Sequence, residues 1–400
     1  MESNDRELVK FTSLAHALFH TYELSIPLFV GLWMAEFGVS AAVIGAVVSV
    51  GYGVIGVGAP VSGVLSDRFS SRRLIVVSVV GMGVGFGIVA LAGGLVSLGI
   101  AVLLWGCFAS IYHPAGLSLI SRTADARGTV FAYHGAGGNV GTALGPLLTA
   151  VLLLFVDWRV AAGTLAAIAV LVAIAGMRIE FETGAAETNG DTGSIVDELK
   201  TTLRESRALF GMAFTVAFIA VLLYGTYYRG LLTFLPDVLA ETPVLQPFEL
   251  FDQTVQPAQY VYTALLTVGI AGQYVGGRLT DRIPSTTAFL SYFVVLAGLA
   301  LAFPVVREVG TIGLILVCLL LGFFVYGTAP IYQVVVAEQA PDAVQGLSYG
   351  FTYLAMFGVG ALGASLAGVV LTRATSTELF ITLAAIAGLG GVVVVLLKRL

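Results

Sequence analysis

The chain is 400 residues long, 58% hydrophobic and only 11% charged, with 49 glycines and a formal net charge of −5. A mean hydropathy of +0.97 excludes a set of ordinary soluble domains, and no basic excess supports a nucleic-acid partner. What remains is a multi-pass membrane protein.

Apolar runs near the roughly 20 residues needed to cross a hydrocarbon core lie at 11–38, 41–65, 74–94, 97–121, 129–155 and 160–179, then at 209–235, 259–279, 288–306, 311–336, 346–371 and 377–398. They predict twelve helices in two sets of six. The runs are continuous rather than alternating, which disfavours a β-barrel. The leader MESNDRELVK mixes acids with bases and has no small-residue cleavage site, so the first span is expected to be retained.

The first span carries His16, His20 and Glu23, spaced by four and three and therefore on one helix face. Pro27 lacks an N–H and clashes with the carbonyl four residues earlier, which frees the backbone oxygen of Glu23 and invites a bend. The loop after span two reads GVLSDRFSSRR. In it Gly63 is expected to permit close helix approach, and Asp67 to accept charge-assisted hydrogen bonds from a neighbouring helix end or an arginine. Arg68, Arg72 and Arg73 supply its positive charge.

Span four contains IYHPAGLSLISR with His113, and span five contains HGAGGNVGTALGP with His134 and Asn139. Gly138, Gly141 and Gly145, followed by Pro146, fall at steps of three and four and form a stripe that lets another backbone approach. Cys107 and Cys318 lie inside predicted spans and read as small apolar filler.

The polar stretch 180–208 reads as a linker, with a surface helix from Ser194 onward that Ser194, Asp197 and Glu198 would cap. It divides the chain into 1–179 and 209–400. Span seven carries YYRGLLTFLP, with Tyr224, Tyr227, Tyr228 and Arg229. The stretch 237–258 reads as the longest outer loop, with acids at 237, 241, 249 and 252. Span eight carries Gln273 and ends in GRLTDRI, and the glycine-rich run 346–371 is expected to be kinked.

Counting Lys and Arg by loop places fifteen on the side of the N-terminus and only Arg159, Arg307 and Arg373 opposite. By the positive-inside rule both termini are cytoplasmic, in a plasma-membrane protein.

The charged hairpin is written twice. Gly63, Asp67 and Arg68 recur as Gly277, Asp281 and Arg282, Pro27 recurs as Pro236, Pro114 as Pro330, Asp125 as Asp342 and Gly128 as Gly346, while LGP at 144–146 recurs as LGA at 362–364. Offsets drifting smoothly from 209 to 218 indicate a duplicated six-helix unit.

On these marks the chain resembles the major facilitator superfamily over essentially its whole length. Ser70 stands where that family's loop motif has a second glycine, and the second copy, ending IPSTT, lacks the basic pair. The fifth-span glycines with Pro146 resemble the superfamily's motif typical of exporters that exchange substrate for protons. IYHPAGLSLISR, RGTVFAYHGAGGNVGTALGPLL and YYRGLLTFLP resemble the fosmidomycin-resistance branch. The resemblance implies an all-α integral membrane protein, twelve helices in two pseudo-symmetric six-helix bundles, and an efflux role.

Ionisable groups inside spans are functional candidates by default. Glu23 reads as the one deep acid and Arg229 as the one deep base, and all four histidines fall in spans one, four and five. His20 and Arg229 each precede a repeated proline by seven residues, so this architecture would have them face each other across a central cavity. Arg229 is expected to hold an anionic group of a small-molecule substrate, and Glu23 with His20 and His16 to bind the coupling proton. The plain alternative is a Glu23–Arg229 ion pair holding the halves together. His113, His134, Asn139, Tyr228 and Gln273 are further substrate-lining candidates, with packing as the plain alternative.

The best reading is proton-coupled export of a small anionic or amphiphilic compound, with proton-coupled uptake of an organic anion as runner-up and a receptor or intramembrane enzyme behind both. The absence of HExxH, a cysteine pair or G-x-x-x-x-G-K-[ST] argues against a metal site and an ATP-driven pump. No cofactor is expected. The expected partners are substrate, protons and membrane lipid, with the chain acting as a monomer.

Overall fold

The computed structural model describes residues 1–183, 204, 206–207, 209–340 and 345–400. The helix expected from Ser194, and Asp342 of the repeat, lie outside the described residues.

Six helices form the first repeat: α1 Ser3–Phe37, α2 Ala41–Arg68, α3 Ser71–Ala90, α4 Leu95–Thr123, α5 Arg127–Phe155 and α6 Trp158–Arg178. In the second are α7 Met212–Ala240, α8 Pro257–Thr280, α9 Ser285–Val309, α10 Thr311–Gln339, α11 Gln345–Tyr353, α12 Leu362–Arg373 and α13 Ser376–Leu397. A π-helical turn, Leu354–Val359, joins α11 to α12, so these two helices make one kinked eleventh span. Among the described residues the total is twelve spans, as the apolar runs predict. Ten of the helices, with 350–373 counted as one, are long and apolar enough to cross a membrane.

Helix ends follow from local chemistry. Asp157 caps α6 by accepting from the backbone N–H groups of Arg159 and Val160 at 2.7 and 3.2 Å. Asp5 does the same at long range, accepting from Asp125 N and Ala126 N at 3.0 and 2.9 Å to close the start of α5. Pro257 opens α8, where its missing N–H is not needed.

The structure corrects the expected outer loop. The seventh helix runs on to Ala240, so Asp237 belongs to its last turn. The connection beyond carries a short hairpin, β1 Phe248–Leu250 antiparallel to β2 Gln253–Val255, turning through Phe251 and Asp252 at positive φ.

Two compact units are present. One comprises Met1–Ile26 and Val50–Thr201; the other comprises Pro27–Ser49 and Thr202–Leu400. The hairpin Pro27–Ser49 therefore belongs by sequence to the first repeat and by packing to the second unit. Within that unit, Ser49 Oγ donates to Ala361 O and Ala42 N donates to Thr372 Oγ1, each at 2.8 Å. Gly45 lies against the Ala364 carbonyl.

The duplication is visible in matched crossings. In the first unit a side chain on Gly106 of α4 would strike the backbone carbonyl of Gly51 in α2. Gly322 of α10 meets the Leu265 carbonyl of α8 in the same way.

Candidate functional site

The first unit gathers the polar side chains of spans one, four and five into one buried cluster. Gly138 of α5 makes room for it: a Cβ there would lie 2.5 Å from His16 Cε1. Gly141 meets the Ala17 carbonyl, and Gly145 meets Thr21. The predicted glycine stripe is the surface on which α1 packs, and Pro146 is buried beside it.

On that surface His16 Nδ1 donates to the His134 carbonyl at 2.8 Å, and the two rings stack with centroids 4.1 Å apart. His16 Nε2 faces His20 Nε2 at 3.1 Å, and His20 Nδ1 faces Glu23 Oε2 at 2.7 Å. His113 stands edge-on to both His16 and Phe19. The spacing of four and three has placed all three groups of α1 in one hydrogen-bonded row.

Donor and acceptor arithmetic constrains this row. A carbonyl only accepts, so His16 Nδ1 carries a hydrogen and a neutral His16 offers only a lone pair at Nε2. His20 must then donate through Nε2, which leaves two possibilities at its other end. Either His20 is imidazolium beside ionised Glu23, or neutral His20 accepts from protonated Glu23. Both forms hold one proton more than a neutral row with an ionised carboxylate. The hydrogen bonds close only when that proton is present.

Burial gives the row a direction. The Glu23 side chain is 1% exposed and that of His20 is 21% exposed, so His20 is the more open end of the row. The backbone oxygen of Glu23, freed by Pro27, accepts from Tyr52 OH at 2.8 Å. Sequence reasoning expected the freed oxygen but missed its donor.

His16, His20 and His113 bring ring nitrogens within 4.8 Å of one another. They are the described residues that could hold a metal ion, an arrangement the sequence did not suggest because His113 lies on a different helix, far along the chain. Asn139 is half-buried on α5, without a hydrogen bond to this cluster.

In the second unit Arg229 is 1% exposed. Its guanidinium lies over the Tyr228 ring at 5.1 Å and the Phe357 ring at 5.3 Å, an arrangement that holds the planar cation between aromatic faces. Tyr228 OH bonds to Tyr326 OH at 3.2 Å. Tyr224 and Tyr227 donate to the backbone carbonyls of Val325 and Leu296 and so act as interhelical ties. Gln273 is half-buried on α8.

The last turn of α2 pairs Asp67 with Arg122 of α4, and Arg122 also donates to Ser66 O at 3.3 Å. Arg72 donates to Ile179 O at 2.6 Å and lies over Phe181, tying α3 to the end of α6. Arg73 N is capped by Ser70 Oγ. The expected close approach at Gly63 is absent, since a side chain there would enter open space. Gly277 makes only an ordinary contact with Pro330. Asp281 and Arg282, just past the end of α8, are exposed.

A family model described as Major Facilitator Superfamily matches residues 12–364. The chain belongs to the Major Facilitator Superfamily. It is 26% identical over 347 residues to the fosmidomycin resistance protein of Escherichia coli (strain K12), spanning 84% of this chain and 79% of that one. It is 23% identical over 333 residues to the uncharacterized MFS-type transporter YfnC of Bacillus subtilis (strain 168), spanning 83% and 78%. Among solved structures it resembles a bacterial homologue of the human lysosomal transporter Spinster in an inward-facing and unoccupied conformation. That match has a TM-score of 0.77 at 13% identity over 100% and 98% of the chains. As a member of this superfamily the protein is a multi-pass transporter of small molecules and not an enzyme.

Proposed function

We propose that this transporter exports a small anionic or amphiphilic compound in exchange for protons by alternating access, with both termini cytoplasmic. The observation that carries the reading is the row from His16 through His20 to Glu23, whose hydrogen bonds require one exchangeable proton. Solvent delivers that proton at His20, and Glu23 shares it in the protein interior. A proton held on a carboxyl and an imidazole is released when their surroundings change, which is what coupling to transport requires.

The substrate class follows from Arg229. Arg229 is a buried guanidinium set against aromatic rings, and its planar fork suits carboxylate or phosphate oxygens. The aromatic side chains around it suit the apolar part of an amphiphile. The E. coli relative is named for resistance to fosmidomycin, which favours the outward direction.

The test uses purified protein in liposomes carrying a pH-sensitive dye, with anionic and lipophilic compounds added in turn. Substrate-dependent proton flux is expected in the native protein and lost in Glu23→Gln, and its direction separates exchange from co-transport. Equal flux in both proteins would remove the proton from Glu23. Transport without any proton flux would overturn the coupling.

A further inference from the structure

The buried titratable group that the reading above leaves unused is Asp237, in the last turn of α7. Its Oδ2 is buried without a hydrogen-bond partner. The carboxylate sits where a side chain on Gly31 of α1 would be, so the absence of a side chain there lets the acid pack against the backbone of the first helix. Both residues belong to the second unit, which includes the hairpin Pro27–Ser49.

The duplication shows that this position does not need an acid for packing. Pro236 matches Pro27 with an offset of 209, so Asp237 matches Leu28, which is buried at 3% exposure. An apolar side chain fills the equivalent place in the other repeat. The carboxyl is an addition to the repeat.

The neighbouring charges do not relieve it. From its own chain segment Glu241 acts on Asp237 with the same sign. α1 meets it at an uncharged glycine, and Glu36 further along α1 is exposed. Arg307 of α9 is engaged by Ser376 and Glu308, and Glu378 of α13 by Thr375; Arg373 at the end of α12 is exposed. An ionised carboxylate enclosed in this way is costly, whereas a neutral carboxyl packs without that cost.

We propose that Asp237 is a second proton-binding site that latches the Pro27–Ser49 hairpin. With the proton bound, the carboxyl lies against Gly31 and the hairpin stays docked through Ser49, Gly45 and Ala42. When the proton leaves, the charge draws water into the Gly31 contact and the hairpin is released. Acid therefore favours the docked form and alkali the released form. Glu23 acts within the first unit, so the latch stands or falls independently of the coupling proposal.

Distance measurement by electron paramagnetic resonance tests this on the full chain in lipid nanodiscs. Cys107 and Cys318 are replaced by alanine, and spin labels are placed through Ser40→Cys and Ala374→Cys, both at exposed positions. The native distance is expected to be short in acidic buffer and to gain a longer population in alkaline buffer. Asp237→Asn, a neutral isostere, is expected to hold the short distance throughout, while Asp237→Glu keeps the response and shows that substitution here leaves the fold intact. Glu23→Gln is expected to respond as the native protein does. A native distance that ignores pH, an Asp237→Asn variant that still responds, or a response abolished by Glu23→Gln would each overturn the latch.

Discussion

Tyr52 shows how one residue makes a proline-interrupted helix tolerable inside a membrane. Pro27 removes the intrahelical donor to the Glu23 carbonyl, and no water in a hydrocarbon core would replace it. The Tyr52 hydroxyl fills that vacancy at 2.8 Å. Tyr22 also donates to a carbonyl, that of Leu165 at 2.9 Å, but Leu165 sits within regular helix and its oxygen keeps its own i to i+4 bond. The two tyrosines therefore differ in consequence. Tyr52→Phe is expected to cost about 1–3 kcal/mol by leaving a buried acceptor unmade, and Tyr22→Phe less than about 1 kcal/mol. Thermal unfolding in detergent should show the larger fall for Tyr52→Phe; equal falls would mean that the proline-freed carbonyl is satisfied in another way.

Glycines place α1 on α5, and two of them separate a structural role from a motif. Gly141 lies against the Ala17 carbonyl, whereas Gly63 borders open space. Gly141→Ala is expected to destabilise by about 1–3 kcal/mol through overpacking. Gly63→Ala should be neutral or stabilise by up to about 1 kcal/mol, because a helical glycine is replaced without a clash. The unfolding midpoints of the two variants check both signs. The stripe at 138, 141 and 145 was legible because a helical period converts spacing directly into a face. Gly63 misled because its motif reads as loop, whereas it lies inside α2 at a place that borders open space. The row His16, His20, Glu23 was legible for the same reason as the stripe. His134 and His113 were not, since they join it through helix packing that no local spacing encodes. Asp237 was misplaced by one helical turn, because its proline and the acids beyond it read as loop.

At the scale of the molecule the duplication is real but unequal. Pro114 matches Pro330 with an offset of 216, which puts Glu338 at the place of Arg122. Arg122 pairs with Asp67. In the second repeat the same geometry would set Asp281 against Glu338, two like charges, and Glu338 instead accepts from Ser285. The repeated motif has therefore kept its aspartate twice and its partner once. The Asp67 and Arg122 side chains are 59% and 28% exposed, so their pair contributes at most about 1 kcal/mol to folding. An inner gate at this place would need no more, since about 1 kcal/mol between two gate states changes their ratio about fivefold. Asp67→Asn should accordingly leave the unfolding midpoint unchanged and slow substrate flux in liposomes severalfold. Asp281→Asn should alter neither, and exchanging the charges with Asp67→Arg and Arg122→Asp should recover part of the flux. Normal flux through Asp67→Asn would show that the pair merely decorates the loop, and equal loss through Asp281→Asn would show that the two copies share a function which the surviving ion pair does not explain.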